Sequence, residues 1–223
     1  MEEKIKVFDI ELNRMTAKKA MKQAMQYMEG ESVSTIELIP MEVLLRGQDD
    51  VEWKELVKSI DLLLPSDCEI LESAEITDEN AIRDLENDTF VRLFLRYLEK
   101  NKKKVFLLTE NEEELARLKE RITAYRRGIV YVGEAIITED GGSKDAVINT
   151  INGVEPDCIL SGLSYPWQER FIVESKPLLN ARVWFGCGFL LNQHIKQEKA
   201  SGKVKHFILK KLFRYRVGKE QKE

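Results

Sequence analysis

"DCILSGLSYPWQERFIVESKPLLNARVWFGCGFLLNQH", residues Asp157 to His194, is the stretch that decides how this chain reads. It runs as strand, polar loop, helix, strand and Gly-containing loop. Asp157–Leu163 is short, apolar and entered through Pro156, the pattern of a strand buried on both faces. Ser164-Tyr165-Pro166 interrupts it, and a helix opens over Trp167–Glu174 with Pro166 just before its first turn. Ala181–Phe185 is the next strand, ended by Gly186-Cys187-Gly188. Residues just past strand C-termini line the ligand crevice of α/β sheets. Gln168, Glu169 and the Gly186–Gly188 turn are therefore the groups expected there, either touching ligand or fixing the loop ahead of the helix.

Outward from this stretch the same alternation repeats. Lys4–Leu12 alternates as a strand or hairpin arm. Thr16 can cap a helix carrying Ala20, Met21, Ala24, Met25 and Met28 inward, with Gly30 as its stop. Val33–Ile39 is a strand broken at Pro40; Met41–Arg46 begins a helix, and Asp50 can cap another over Val51–Ser59. Leu62–Leu64 is a buried strand ending in the turn Pro65-Ser66-Asp67. Residues 72–88 are acidic without a clear period and read as surface loop or weak helix. Phe90, Leu93, Phe94 and Tyr97 define one helical face ahead of the run Asn101–Lys104, and Val105–Leu108 is a strand. Glu110–Gly128 is a charged helix with Leu115, Leu118 and Ile122 inward, and Ile129–Val132 a strand. Ser143 caps Lys144–Asn152, which Gly153 stops. The expectation is an α/β fold: a mostly parallel Rossmann-like sheet with helices on both faces, one domain over residues 1–198.

Composition agrees with one globular unit. The chain has 223 residues, 43% hydrophobic and 33% charged, and a net charge of −4. No apolar run approaches the ~20 residues of a membrane span, and "MEEKIKVFDI" is charged then strand-like, unlike a secretory signal. Cys68, Cys158 and Cys187 read as buried thiols of a reducing compartment; with only two histidines, no metal site is expected. Gly141-Gly142 is a turn and not a G-x-G-x-x-G fingerprint, so no dinucleotide cofactor is implied, and no other cofactor is expected.

The charge is uneven. Residues 199–223 hold nine Lys/Arg against Glu220 and Glu223, a net of +7, which leaves −11 on residues 1–198. In this C-terminal segment Phe207, Ile208, Leu212, Phe213 and Tyr215 interleave with Lys210, Lys211, Arg214 and Arg216. A helix here has an apolar edge and a basic face. That suits an anionic membrane surface, or else a last core helix with a basic end. The acidity of the rest argues against nucleic acid.

"GLSYPWQERFI" followed by "WFGCGFLLN" resembles the WecG/TagA/CpsF family of bacterial glycosyltransferases, whose pattern is approximately a-L-G-x-P-x-Q-E-x-W-i, then G-V-G-x-x-F-D. Leu163, Pro166, Gln168, Glu169, Gly186 and Gly188 fit as they stand. Phe171 stands for a Trp, Ser164 for a Gly and Asn192 for an Asp. A looser likeness extends over about residues 5–217. The resemblance implies transfer of an N-acetylhexosamine-type sugar from a UDP-sugar to a polyprenyl-linked saccharide in cell-surface polysaccharide or teichoic-acid synthesis. It places the protein in the cytoplasm at the inner face of the membrane, without a metal. A homo-oligomer or a partner glycosyltransferase is a further expectation.

By the same resemblance Glu42, Ser66, Tyr165, Gln168, Glu169, Gly186, Gly188 and Asn192 are expected to bind substrate. The departures are concentrated where nucleotide chemistry happens. The family's T-x-N-x-E pattern keeps Glu42 but has Leu38 and Pro40 for Thr and Asn. Its P-D-G-x-G keeps Pro65 but has Ser66 for the Asp proposed as base, and Asp67 and Glu69 for the glycines. A family Arg falls on Glu86. Carboxylates in such a turn repel a diphosphate, and Glu reverses the charge of an Arg fork. Asp67 serves as the base if the turn shifts by one residue; otherwise it is an exposed turn residue. His194 is either incidental or catalytic. The second reading is a non-catalytic relative that partners an active glycosyltransferase or binds a glycolipid.

Overall fold

Apolar runs bounded by turn residues become short parallel strands, and the amphipathic segments between them become the helices that cover both faces. The structure, a computed structural model, describes residues 3–140, 142–192 and 200–220. It opens with an antiparallel hairpin, β1 (Glu3–Val7) and β2 (Ile10–Arg14), turned by Phe8 and Asp9, both at positive φ. Then come α1 (Ala17–Glu29), β3 (Ser34–Ile39), α2 (Met41–Gly47), α3 (Val51–Val57), β4 (Leu62–Pro65), α4 (Cys68–Ser73), α5 (Glu79–Glu86) and α6 (Thr89–Lys100). The second half runs β5 (Lys104–Thr109), α7 (Glu112–Tyr125), β6 (Val130–Ile136), α8 (Lys144–Val154), β7 (Cys158–Ser161), α9 (Trp167–Ser175), a 3₁₀ turn (Lys176–Leu178), β8 (Val183–Gly186), α10 (Phe189–Asn192) and α11 (Ala200–Glu220).

The six strands β3–β8 are all parallel, in the order β4-β3-β8-β7-β5-β6. Each central strand divides its side chains between two cores. One face buries Ile39, Phe106, Ile159 and Trp184 under α2, α3, α8 and α9; the other buries Ile36, Leu107, Leu160 and Phe185 under α1, α6 and α7. The hairpin lies against edge strand β4, where Asn13 Oδ1 accepts the Leu63 N–H at 3.0 Å. Among the described residues no helix is long and apolar enough to cross a membrane.

The helix starts follow their caps: Thr16, Asp50, Asn111 and Ser143 each accept a backbone N–H of the first turn. Several expectations are corrected. Met25 points outward, leaving Ala17, Ala20, Met21, Ala24 and Met28 as the inner face of α1. In residues 72–88 the weak-helix reading holds over α5, which Asp78 caps and whose Ile82 and Leu85 rest on the core edge, while residues 74–78 are turn and loop. Helix α8 runs past Gly153 to Val154 and stops at Glu155, whose φ is 45°. Strand β6 is longer than Ile129–Val132. It is bulged opposite Val105 and Phe106, and Gly133 leaves room there for the Phe106 ring.

Helix α11 is joined to the body of the protein. Phe213 and Val217 are buried, and the Phe213 ring meets Phe8 edge-on at 5.7 Å. Lys210 pairs with Glu69 and Glu72, and Arg214 pairs with Glu72. Lys210, and then Arg214, hold the Glu72 carboxyl below its ordinary range. Phe213 thereby leaves the apolar edge expected of the C-terminal segment. Phe207, Ile208, Leu212 and Tyr215 remain exposed, with Lys211 and Arg216 also outward.

Candidate functional site

Three central strands end side by side: Glu37 of β3 is in register with Gly186 of β8, and Gly186 with Ser161 of β7. Beyond these ends lies a crevice of about 340 Å³, within the ~300–1,000 Å³ range of small-molecule sites. Its walls come from Glu37 and Leu38, from Pro40, Glu42 and Arg46 of the β3–α2 corner, and from Gly162–Tyr165 after β7. Gln168 and Glu169 of α9, Glu114 of α7 and Gly188 complete it.

Gln168 and Glu169 occupy the first turn of α9 and are almost wholly buried. The Gln168 amide lies over Gly186, where an added Cβ would stand 2.7 Å from Nε2. It donates toward Glu37, which in turn faces Glu169. Burial, then the facing Glu169, pushes the Glu37 carboxyl well above its ordinary value. Burial likewise raises Glu169, partly offset by the nearby Trp53 indole. Each of two buried carboxyls in contact disfavours ionisation of the other. The Trp53 N–H nevertheless makes no hydrogen bond of good geometry, so Trp53 Nε1 and Glu169 Oε2 are both unsatisfied.

Tyr165 forms one wall of the crevice. Its ring packs edge-on against Trp53 at 5.1 Å and its hydroxyl donates to Asp50 at 3.3 Å. Burial and the Asp50 carboxylate push that phenol up to about 12. Across the crevice, burial and neighbouring Glu110 raise Glu114. Among the described residues the lining contains one cation, Arg46, which pairs with Glu42 one turn earlier in α2.

The structure thus brings Glu42, Tyr165, Gln168, Glu169 and Gly188 together at one crevice, with Gly186 directly under Gln168. Ser66 and Asp67 lie behind the β3–α2 corner. The Ser66 N–H donates to the Ile39 carbonyl at 3.0 Å, and Asp67 Oδ2 accepts the Met41 N–H at 2.7 Å. Both are buried, so Asp67 is not the exposed turn residue of the alternative. Its carboxylate satisfies a first-turn N–H of α2. Gly188 has a packing reason, since a Cβ there would stand 2.9 Å from the Leu163 carbonyl oxygen. Asn192 closes α10, whereas His194 lies outside the described residues. Glu86 is exposed at the end of α5. Among the described residues no group of three or more His, Cys, Asp or Glu is placed to hold a metal ion.

Sequence reasoning missed Glu37, Glu114 and Trp53. Glu37 had a signal: a carboxylate inside the apolar strand "STIELI" has to be answered by something buried.

The family model for the Glycosyl transferase WecG/TagA/CpsF family matches residues 5–215. The chain belongs to this family. The match covers the sheet, the crevice and most of α11, so the protein is glycosyltransferase-like and belongs with cell-surface polysaccharide synthesis. No curated protein gives a significant match to the chain.

Proposed function

We propose that this family member binds a lipid-linked saccharide beside an active glycosyltransferase and has itself given up sugar-nucleotide chemistry. One observation carries the reading. Among the described residues the crevice that would hold a sugar nucleotide presents four glutamates, and its one cation is engaged by one of them. A diphosphate needs N–H groups or cations where its charge sits. Leu38, Pro40, Ser66 and Glu86 at the family's polar positions point the same way. So does Asp67, whose carboxylate is occupied by a backbone N–H.

The outward face of α11 supplies the membrane side of this proposal. Phe207, Ile208, Leu212 and Tyr215 form an exposed apolar strip, opposite buried Phe213 and Val217, with Lys211 and Arg216 beside it. Such a face suits the headgroup boundary of an anionic leaflet. It would hold the protein at the inner face of the cell membrane, where polyprenyl-linked saccharides are assembled.

The transferase reading keeps a specific support, the Gln168–Glu169 pair at the crevice. In that reading an N-acetylhexosamine-type sugar leaves UDP, with Asp67 as base. Calorimetry with UDP and UDP-sugars, paired with an assay of sugar release, separates the two. The binding-protein reading expects no heat and no turnover. UDP-sugar binding with turnover that falls at least ~100-fold in Asp67→Asn would overturn it.

A further inference from the structure

Among the described residues the unpartnered polar atoms on the crevice lining are acceptors, and the one unsatisfied donor beside them, Trp53 Nε1, stands behind Glu169. Among the described residues, three lining side-chain atoms are buried without a hydrogen-bond partner: Gln168 Oε1, Glu169 Oε2 and Glu114 Oε2. All three are acceptors. Gln168 and Glu169 are 5% and 1% exposed. The Gln168 amide is turned with its N–H side toward Glu37 and lies against Gly186, which leaves Oε1 as the atom without a partner. A buried acceptor without a donor is unfavourable, and burying a carboxylate without a cation more so. Arg46 does not supply that cation, since it pairs with Glu42.

We infer that the crevice is built to receive a saccharide carrying a free, protonated amino group, an amino sugar and not its N-acetylated form. This rests on the saccharide-binding reading above and narrows its ligand class. A primary ammonium offers three N–H donors and no acceptor, and its charge answers the Glu37–Glu169 pair. An acetamido group offers one N–H, brings a carbonyl acceptor toward other acceptors, and carries no charge. Sugar hydroxyls add donors toward Glu114 and Tyr165, and Tyr165 and Leu163 give the ring an apolar wall.

The test is a calorimetric titration of the full chain with a glucosamine tetrasaccharide, its N-acetylated counterpart, and UDP. The amino form should bind at least ten-fold more tightly than the acetylated form. Glu169→Gln should remove that preference while leaving the weaker acetylated binding in place. Glu120→Gln, an exposed helical position, should change neither and so controls for attraction of a polycation to an acidic protein. Equal affinity for the two sugars, or equal loss in both glutamate variants, overturns the amino-sugar assignment and leaves the saccharide reading standing. Binding of UDP with neither sugar bound, or of none of the three, overturns both.

Discussion

The side-chain amide of Gln168 rests on the bare Cα of Gly186, so closely that a single methyl group would stand 2.7 Å from its nitrogen. Gly186 is in register with Glu37 on one neighbouring strand and Ser161 on the other. One missing side chain therefore sets the position of the group that reaches Glu37 and lines the crevice.

Gly186→Ala and Gly188→Ala should separate binding from stability. At Gly186 the added methyl meets the far end of a side chain, which can rotate away. The protein should stay folded with Gln168 displaced, and saccharide affinity should fall about ten-fold, ~1.4 kcal/mol. At Gly188 the methyl meets the Leu163 backbone carbonyl at 2.9 Å, and overpacking against backbone costs on the order of 1–3 kcal/mol. Its melting temperature should drop by about 2–4 °C per kcal/mol for a chain of this size. Thermal denaturation and calorimetry on both variants check this. A larger thermal loss at Gly186 than at Gly188 would contradict it.

The Glu37–Glu169 pair predicts a pH dependence. Both carboxyls have native values raised above their unfolded ones, so between the two values the folded state holds more protons. Stability is then greatest below the unfolded value, near ~4.3 for Glu, and is lost as pH rises toward the raised native value. Glu37→Gln removes one of the two groups with a raised native value and should flatten that decline. The variant should melt about 2–4 °C above the parent at pH 8, roughly 1 kcal/mol, and little differently at pH 4. Parallel melting profiles across this range would show that the pair is not buried as charge.

The sheet was legible because each strand is a short apolar run with Gly, Pro or Asp at its ends. Val33–Ile39, Leu62–Leu64 and Val105–Leu108 are strands nearly as read. The α5 helix was legible only as one of two readings of residues 72–88, because its stability comes from a single cap and from half-buried Ile82 and Leu85, a weak signal beside seven acidic positions. Half of the crevice was legible from the Gln168–Glu169 block. Glu37 and Glu114 were not, since a lone glutamate looks the same in sequence whether its strand buries it or not. The α11 helix shows a further limit. Periodicity finds an apolar edge, but only the position of Phe8 and Glu72 decides that Phe213 turns inward while Tyr215 does not.

Asp67→Ala should affect stability more than binding. Its carboxylate accepts the buried Met41 N–H at 2.7 Å, and leaving such a donor unsatisfied costs about 1–3 kcal/mol. Urea denaturation should show that loss, with saccharide affinity within about two-fold of the parent, a difference of ~0.4 kcal/mol. Affinity lost with stability intact would place Asp67 in the ligand site.

The two faces of α11 should separate in the same manner. Phe213 is wholly buried against Phe8, so Phe213→Ala should cost about 3–5 kcal/mol and lower the melting temperature sharply. Phe207 and Tyr215 are exposed, so their replacement by Ser should leave melting almost unchanged. On vesicles the pattern should invert. The parent should sediment with vesicles containing anionic lipid and not with neutral ones. Salt should weaken this as the Debye length falls from ~10 Å at 0.1 M to ~3 Å at 1 M. Lys211→Gln with Arg216→Gln should cut sedimentation strongly. Lys210→Gln with Arg214→Gln should act mainly on stability, because those side chains already pair with Glu69 and Glu72. Sedimentation that is indifferent to Lys211, Arg216, Phe207 and Tyr215 would leave α11 as a packing helix alone, and the membrane part of the proposal would fall.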